Sequence, residues 1–168
     1  MNDFQNALTF ITKQVYQPNG LTVSNTLEEK QNAKYGAGTF LLSSKSVRFR
    51  VAHKTPTKLG QFVAFWEKDE HNQNQPFSAE ASPDLLVITT FKNETGFGQF
   101  VFPKALLLKQ HILRSETTKG KMAMRVYPVW DKPTSKQALK TQAWQMPYFI
   151  DLSGVVERNE LRNSYQFS

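Results

Sequence analysis

Leu85-Leu86-Val87-Ile88-Thr89-Thr90 is a mainly apolar run without a charge, and its reading decides the fold. Such a run suits a strand covered on both faces, so it is expected at the centre of a sheet. Toward the C-terminus, Glu94-Thr95-Gly96 marks a turn before a strand at Gln99-Phe100-Val101-Phe102. Pro103 then fits the first position of a helix reaching about Gln110.

Toward the N-terminus, Gln61 to Trp66 reads as a strand, preceded by turn chemistry in Thr55-Pro56-Thr57-Lys58-Leu59-Gly60. Before the turn, Val47, Phe49 and Val51 alternate with Ser46, Arg48 and Arg50, the pattern of a half-buried strand. The two strands suggest an antiparallel hairpin. Alternation places Arg48 and Arg50 on the face opposite the core, as one projecting pair.

Further out, Phe4, Leu8, Ile11 and Val15 fall on one stripe of an amphipathic helix through about residue 15, stopped by Pro18-Asn19-Gly20. Leu27, Glu28, Glu29 and Lys30 favour another turn or two of helix from Thr26 to about Lys34. A strand is expected at Met122 to Tyr127, ended by Pro128, then a helix capped by Ser135 and running through Trp144. A last strand falls at Tyr148 to Ile150, and Val155 to Ser168 fits either a helix or a tail. The expected fold class is α/β of the α+β kind: a single domain with a mixed, mainly antiparallel sheet flanked by helices, compatible with a restriction-endonuclease-like arrangement. Residues 1–34 form a helical N-terminal part, 35–150 the core and 151–168 the C-terminal helix or tail. Gly60-Gln61-Phe62-Val63 recurs as Gly98-Gln99-Phe100-Val101, which two strand starts with one turn requirement explain better than a duplication.

A length of 168 residues supports one hydrophobic core, supplied by 13 Phe, 5 Tyr and 3 Trp. With no cysteine there is no disulfide, thiolate nucleophile or Cys-based zinc site. A start without a basic, long apolar leader and the lack of any long apolar run lead to an expectation of a soluble, cytoplasmic protein with no membrane partner. The formal charge of +7 attracts polyanions.

Lys45, Arg48, Arg50, Lys54 and Lys58 occur with no intervening acid, and a second basic series runs from Lys104 and Lys109 through Arg114, Lys119, Lys121 and Arg125, with only Glu116 among them. Either acids from neighbouring strands neutralise the first cluster, or it meets an external anion, and the second account is favoured. Trp66, Trp130, Tyr127, Trp144 and Tyr148 are aromatics able to stack on bases, although burial is the ordinary fate of such residues. His53, His71 and His111 lack metal-ligand spacing. A magnesium nuclease needs carboxylates where Ala52-His53-Lys54 stands. Asp84 with Lys54 is the remaining candidate pair, with Glu67 or Glu80 as a second acid.

Tyr35-Gly36-Ala37-Gly38-Thr39-Phe40, Lys54 to Val63, Gly98 to Lys104, Gly120-Lys121 with Arg125 to Pro128, and Thr141-Gln142-Ala143-Trp144-Gln145 together resemble the MepB family of small bacterial proteins, over roughly residues 35 to 150. The resemblance implies a bacterial cytoplasmic protein, in some species encoded beside a multidrug efflux pump and its repressor, with no settled activity. The shared words fall on Lys54, Lys58, Lys104, Lys121, Arg125 and Gln142. With Arg48, Arg50, Thr55 and Gln61 they form a candidate phosphate-binding set. The favoured function is non-catalytic binding of DNA or RNA with no cofactor and no obligate protein partner. The alternatives are a Mg-dependent nuclease and a regulatory protein docked on an acidic partner.

Overall fold

The computed structural model describes residues 3–167. Helix α1 (Phe4–Ile11) is capped by the Asp3 carboxylate, which accepts a hydrogen bond from the Asn6 amide. Phe4, Leu8 and Ile11 are buried, as is Val15 in the π-helical turn Thr12–Tyr16 that continues α1. A 3-10 turn and left-handed Gly20 end the segment where Pro18-Asn19-Gly20 was expected to end it.

The strands that follow are β1 (Val23–Glu28), β2 (Gly38–Leu42), β3 (Lys45–Val51), β4 (His53–Lys54), β5 (Gln61–Ala64), β6 (Glu67–Lys68), β7 (Asn74–Gln75), β8 (Leu85–Phe91) and β9 (Phe97–Pro103). Helix α2 (Lys104–Lys109), β10 (Ala123–Val126), α3 (Lys136–Gln145), β11 (Phe149–Asp151) and α4 (Arg158–Ser164) complete the chain. The main sheet has the order β1-β2-β3-β8-β9-β11 and is antiparallel except where β3 runs parallel to β8. A second, antiparallel sheet has the order β10-β5-β4. The fold is thus α+β with a mostly antiparallel sheet. The run at residues 85–90 is buried throughout and central, as its composition requires.

Period two along the central strands divides two cores. Val47, Phe49, Val51, Leu85, Val87 and Val101 face α1 and α4. Leu86, Ile88, Phe100 and Phe102 face the second sheet and α2, packing with Val63, Phe65, Leu106 and Val126. The sheet is therefore covered on both sides, and this corrects three expectations.

Thr26 to Lys34 is not helical. Its first residues pair with β2 through a register that shifts between Ser24 and Leu27, and only Ala33–Tyr35 forms a 3-10 turn. Pairing with the open edge of β2 outweighs a helix propensity worth tenths of a kcal/mol per residue. The expected hairpin of residues 46–51 with 61–66 is also replaced. β3 pairs with β2 and β8, the chain leaves the main sheet after Ala52, and the turn at residues 55–60 joins the short β4 to β5. Third, Arg48 and Arg50 do lie opposite Val47 and Phe49, but that face is interior.

The glycine echo has two physical origins. Gly60 has a φ of +78°, which strains any other residue. At Gly98 the obstacle is space, since a Cβ would come within 2.5 Å of the Phe149 ring. The C-terminal segment forms α4, which buries Leu161 and Tyr165. The Tyr165 hydroxyl lies 2.8 Å from that of Tyr16 and donates to Gln99 Oε1, while Gln99 Nε2 donates to Thr89 Oγ1 at 3.0 Å. Burial pushes the Tyr16 phenol up to about 12 and Tyr165 well above its ordinary value. Ser168, assigned to the C-terminal segment, lies outside the described residues, as do Met1 and Asn2. Among the described residues no helix is long and apolar enough to cross a membrane.

Candidate functional site

The residues expected to form one basic face are divided among four places. Arg50 is fully buried: Nη1 donates to Glu29 Oε1 at 2.8 Å and to the Phe49 carbonyl at 2.9 Å, Nε to the Ala64 carbonyl at 3.1 Å, and Nη2 to Asn32 Oδ1 at 3.1 Å. Arg48 Nε is 3.4 Å from Glu29 Oε2, and its guanidinium lies 3.6 Å from the centre of the Phe77 ring. Burial lowers the pKa of both guanidiniums, and the Glu29 carboxylate opposes that shift. The projecting pair is thus an internal knot whose charge is answered by an acid from the segment misread as helix.

Lys54 and Gln61 lie in a groove of about 630 Å³ with His53 and Phe91. Lys54 Nζ donates to the Lys92 carbonyl, and buried Gln61 donates through Nε2 to the Phe91 carbonyl at 3.1 Å. Asp84 is elsewhere. Its Oδ2 accepts from the Ser46 amide at 2.9 Å and the Ser46 hydroxyl at 3.0 Å, which fastens the start of β8 to β3. These bonds hold its carboxyl below the ordinary range, with Lys45 and Lys104 adding to the effect. The parallel register sets Val47 opposite Leu85 at one end and Val51 opposite Thr89 at the other. Asp84 and Lys54 therefore flank opposite ends of the strand pair, on the order of 20 Å apart. The pairing of Asp84 with Lys54 is corrected accordingly, and Lys104 belongs to the Asp84 end. Among the described residues no three His, Asp or Glu side chains are grouped to hold a metal ion.

The structure brings three of the expected cations together. Lys58 from the turn after β4, Lys121 before β10 and Arg125 on β10 line one cleft of about 650 Å³, closed on its far side by α3. Arg125 Nη1 donates to Thr55 Oγ1 at 3.0 Å and to the Leu59 carbonyl at 3.2 Å, which fixes the guanidinium against the turn. Among the described residues none of the three has an acidic side chain within 4.0 Å, and no acid lines the cleft. Ser135 caps α3 by accepting from the Ala138 amide at 3.1 Å, and the first turn of the helix, its positive end, borders the same space. Tyr127 and half-buried Trp144 complete the wall.

Two glutamines hold this wall. Gln142 does not face a ligand space: its Nε2 donates to the carbonyls of Tyr127, Pro128 and Asp131 at 3.3, 3.2 and 2.9 Å. Gln145 is fully buried, accepts from the Tyr127 amide at 2.9 Å and donates to the Arg125 carbonyl at 3.0 Å, so it pairs with β10 as a neighbouring strand would. Sequence reasoning singled out Gln142 and passed over Gln145, Glu29 and Asn32. The shared word Thr141 to Gln145 contained the one available signal for Gln145; nothing local marked the other two.

Fold and cleft together define a mixed α+β protein with a cation-lined cleft beside a helix start. The model of the MepB-like family matches residues 29–151, and a crystal structure of MepB is 42% identical, covering 90% of this chain and 97% of that one with a TM-score of 0.75. The chain belongs to the MepB-like family. A bacterial homing endonuclease, I-Ssp6803I, is 14% identical with a TM-score of 0.44, covering 85% of this chain and 86% of that one. No curated protein matches.

Proposed function

We propose that this chain is a cytoplasmic nucleic-acid-binding protein that seats backbone phosphates in the cleft between β10 and α3. The observation that carries the reading is the convergence of Lys58, from the turn after β4, with Lys121 and Arg125, from β10 and the residues just before it, on one cleft without an acid in its lining. Like charges held this way repel one another, and a phosphate relieves that repulsion while accepting charge-assisted hydrogen bonds. Thr55 serves this site indirectly, by holding Arg125.

The test is a fluorescence-anisotropy titration with single- and double-stranded DNA and RNA probes at two salt concentrations, with Mg²⁺ present and the probes run on a denaturing gel afterwards. Affinity is expected to fall steeply with salt while the probes stay intact. Replacing Lys58 and Lys121 together by Ala should reduce the salt slope by about two. Cleaved probes would replace this reading with a nuclease. No binding at low salt would end it and leave docking on an acidic protein.

A further inference from the structure

Of the three cations on the cleft, Arg125 is the one with a fixed shape. It donates through Nη1 alone, to Thr55 Oγ1 at 3.0 Å and to the Leu59 carbonyl at 3.2 Å. Among the described residues its Nε and Nη2 have no side-chain or carbonyl acceptor and no carboxylate within 4.0 Å. Those two nitrogens form one edge of the planar guanidinium, the edge that meets two oxygens of a single phosphate side by side. The turn thus anchors the nitrogen that such a contact does not need, and leaves free the pair that it does.

Lys58 and Lys121 are exposed and line the same cleft. An ammonium is a point charge on a flexible stem, so each can meet an oxygen that the fixed guanidinium leaves over. Gln110 and Ile112, after α2, border the space together with the turn, β10 and α3. The cleft is therefore a socket walled on more than two sides. Its volume of about 650 Å³ falls in the range of small-ligand sites, roughly 300–1,000 Å³, which is room for one terminal nucleotide.

We propose that this socket seats a phosphate monoester, the phosphate at the end of a nucleic-acid chain, in preference to an internal diester. The inference rests on the nucleic-acid reading above and narrows it from any backbone phosphate to a terminal one. An internal phosphate has a single negative charge and two unbridged oxygens. The free edge of Arg125 takes up both, and the two lysines are left with nothing of opposite sign. A monoester carries about −1.5 to −2 at pH 7 and offers three such oxygens, so the third is open to the lysines and the charges come closer to balance.

The test uses the intact chain and one oligonucleotide sequence, labelled on an internal base and made with a 5′ phosphate, with a 3′ phosphate, or with both ends hydroxyl. By anisotropy, one of the phosphorylated probes should bind about ten-fold tighter than the hydroxyl probe, the worth of one charge-assisted hydrogen bond. Arg125→Lys keeps the charge and loses the paired donors, and should remove most of that ratio. The comparison of probes needs no variant and so stands even if this one fails to fold. Deoxyadenosine 5′-monophosphate, but not deoxyadenosine, should displace the favoured probe and quench the fluorescence of Trp144 in the cleft wall. Equal affinity for the three probes, with a salt slope that still depends on Lys58 and Lys121, overturns the terminal-phosphate site alone. Quenching by the mononucleotide with no oligonucleotide bound supports the monoester site, makes free nucleotide its source and overturns the nucleic-acid reading. Neither quenching nor binding overturns both.

Discussion

Arg50 and Arg125 occupy strands of similar alternating pattern, yet one is structural and the other is held at an open cleft. Arg50 has no exposed side chain, and Glu29, two carbonyls and Asn32 satisfy it. Arg125 is half-buried, fixed through one nitrogen to Thr55 and Leu59, and among the described residues has no acidic side chain within 4.0 Å. The difference lies in what covers the strand face. A core covers β3, whereas β10 is the edge of a three-stranded sheet and faces a cleft. Arginine on a strand thus gives no signal of function until the opposing layer is known.

Breaking the knot should produce the largest effect. Glu29→Ala leaves Arg50 as an uncompensated buried charge and should destabilise the chain by about 3–5 kcal/mol in urea unfolding. A midpoint unchanged from the parent would show that the knot is not structural. Gln145→Ala should cost about 1–3 kcal/mol, because it strips partners from the Tyr127 amide and the Arg125 carbonyl. The comparison sharpens if this variant also lowers probe affinity, since the wall of the cleft loosens with it. Lys58→Ala with Lys121→Ala should change stability by no more than about 0.5 kcal/mol, as for exposed side chains without a partner. A larger loss would mean that these lysines are held in contacts like those of Arg50.

Much of the fold was legible because it rests on local pattern. The charge-free run at 85–90 had to be central, since burying it on one side only would leave apolar surface in water. The spacing of Phe4, Leu8, Ile11 and Val15, the cap at Ser135 and the stop at Pro128 each rest on short-range geometry. The segment from Thr26 to Lys34 was misread because its local preference for helix is weak beside pairing with a sheet edge. The candidate site was legible in part. Lys58, Lys121 and Arg125 were named as cations but could not be gathered from one dimension, and Lys54, Lys104 and Asp84 were gathered with neighbours that the parallel register sends elsewhere.

By itself the sequence determined the class of fold, the apolar stripe of α1, the identity of the central strand and an excess of positive charge. These follow from periodicity and composition, which act within a few residues. Only the tertiary structure decided which arginines are answered by Glu29 and which cations share a cleft. Burial and pairing depend on the layer that packs across a strand, and residues distant in sequence supply that layer.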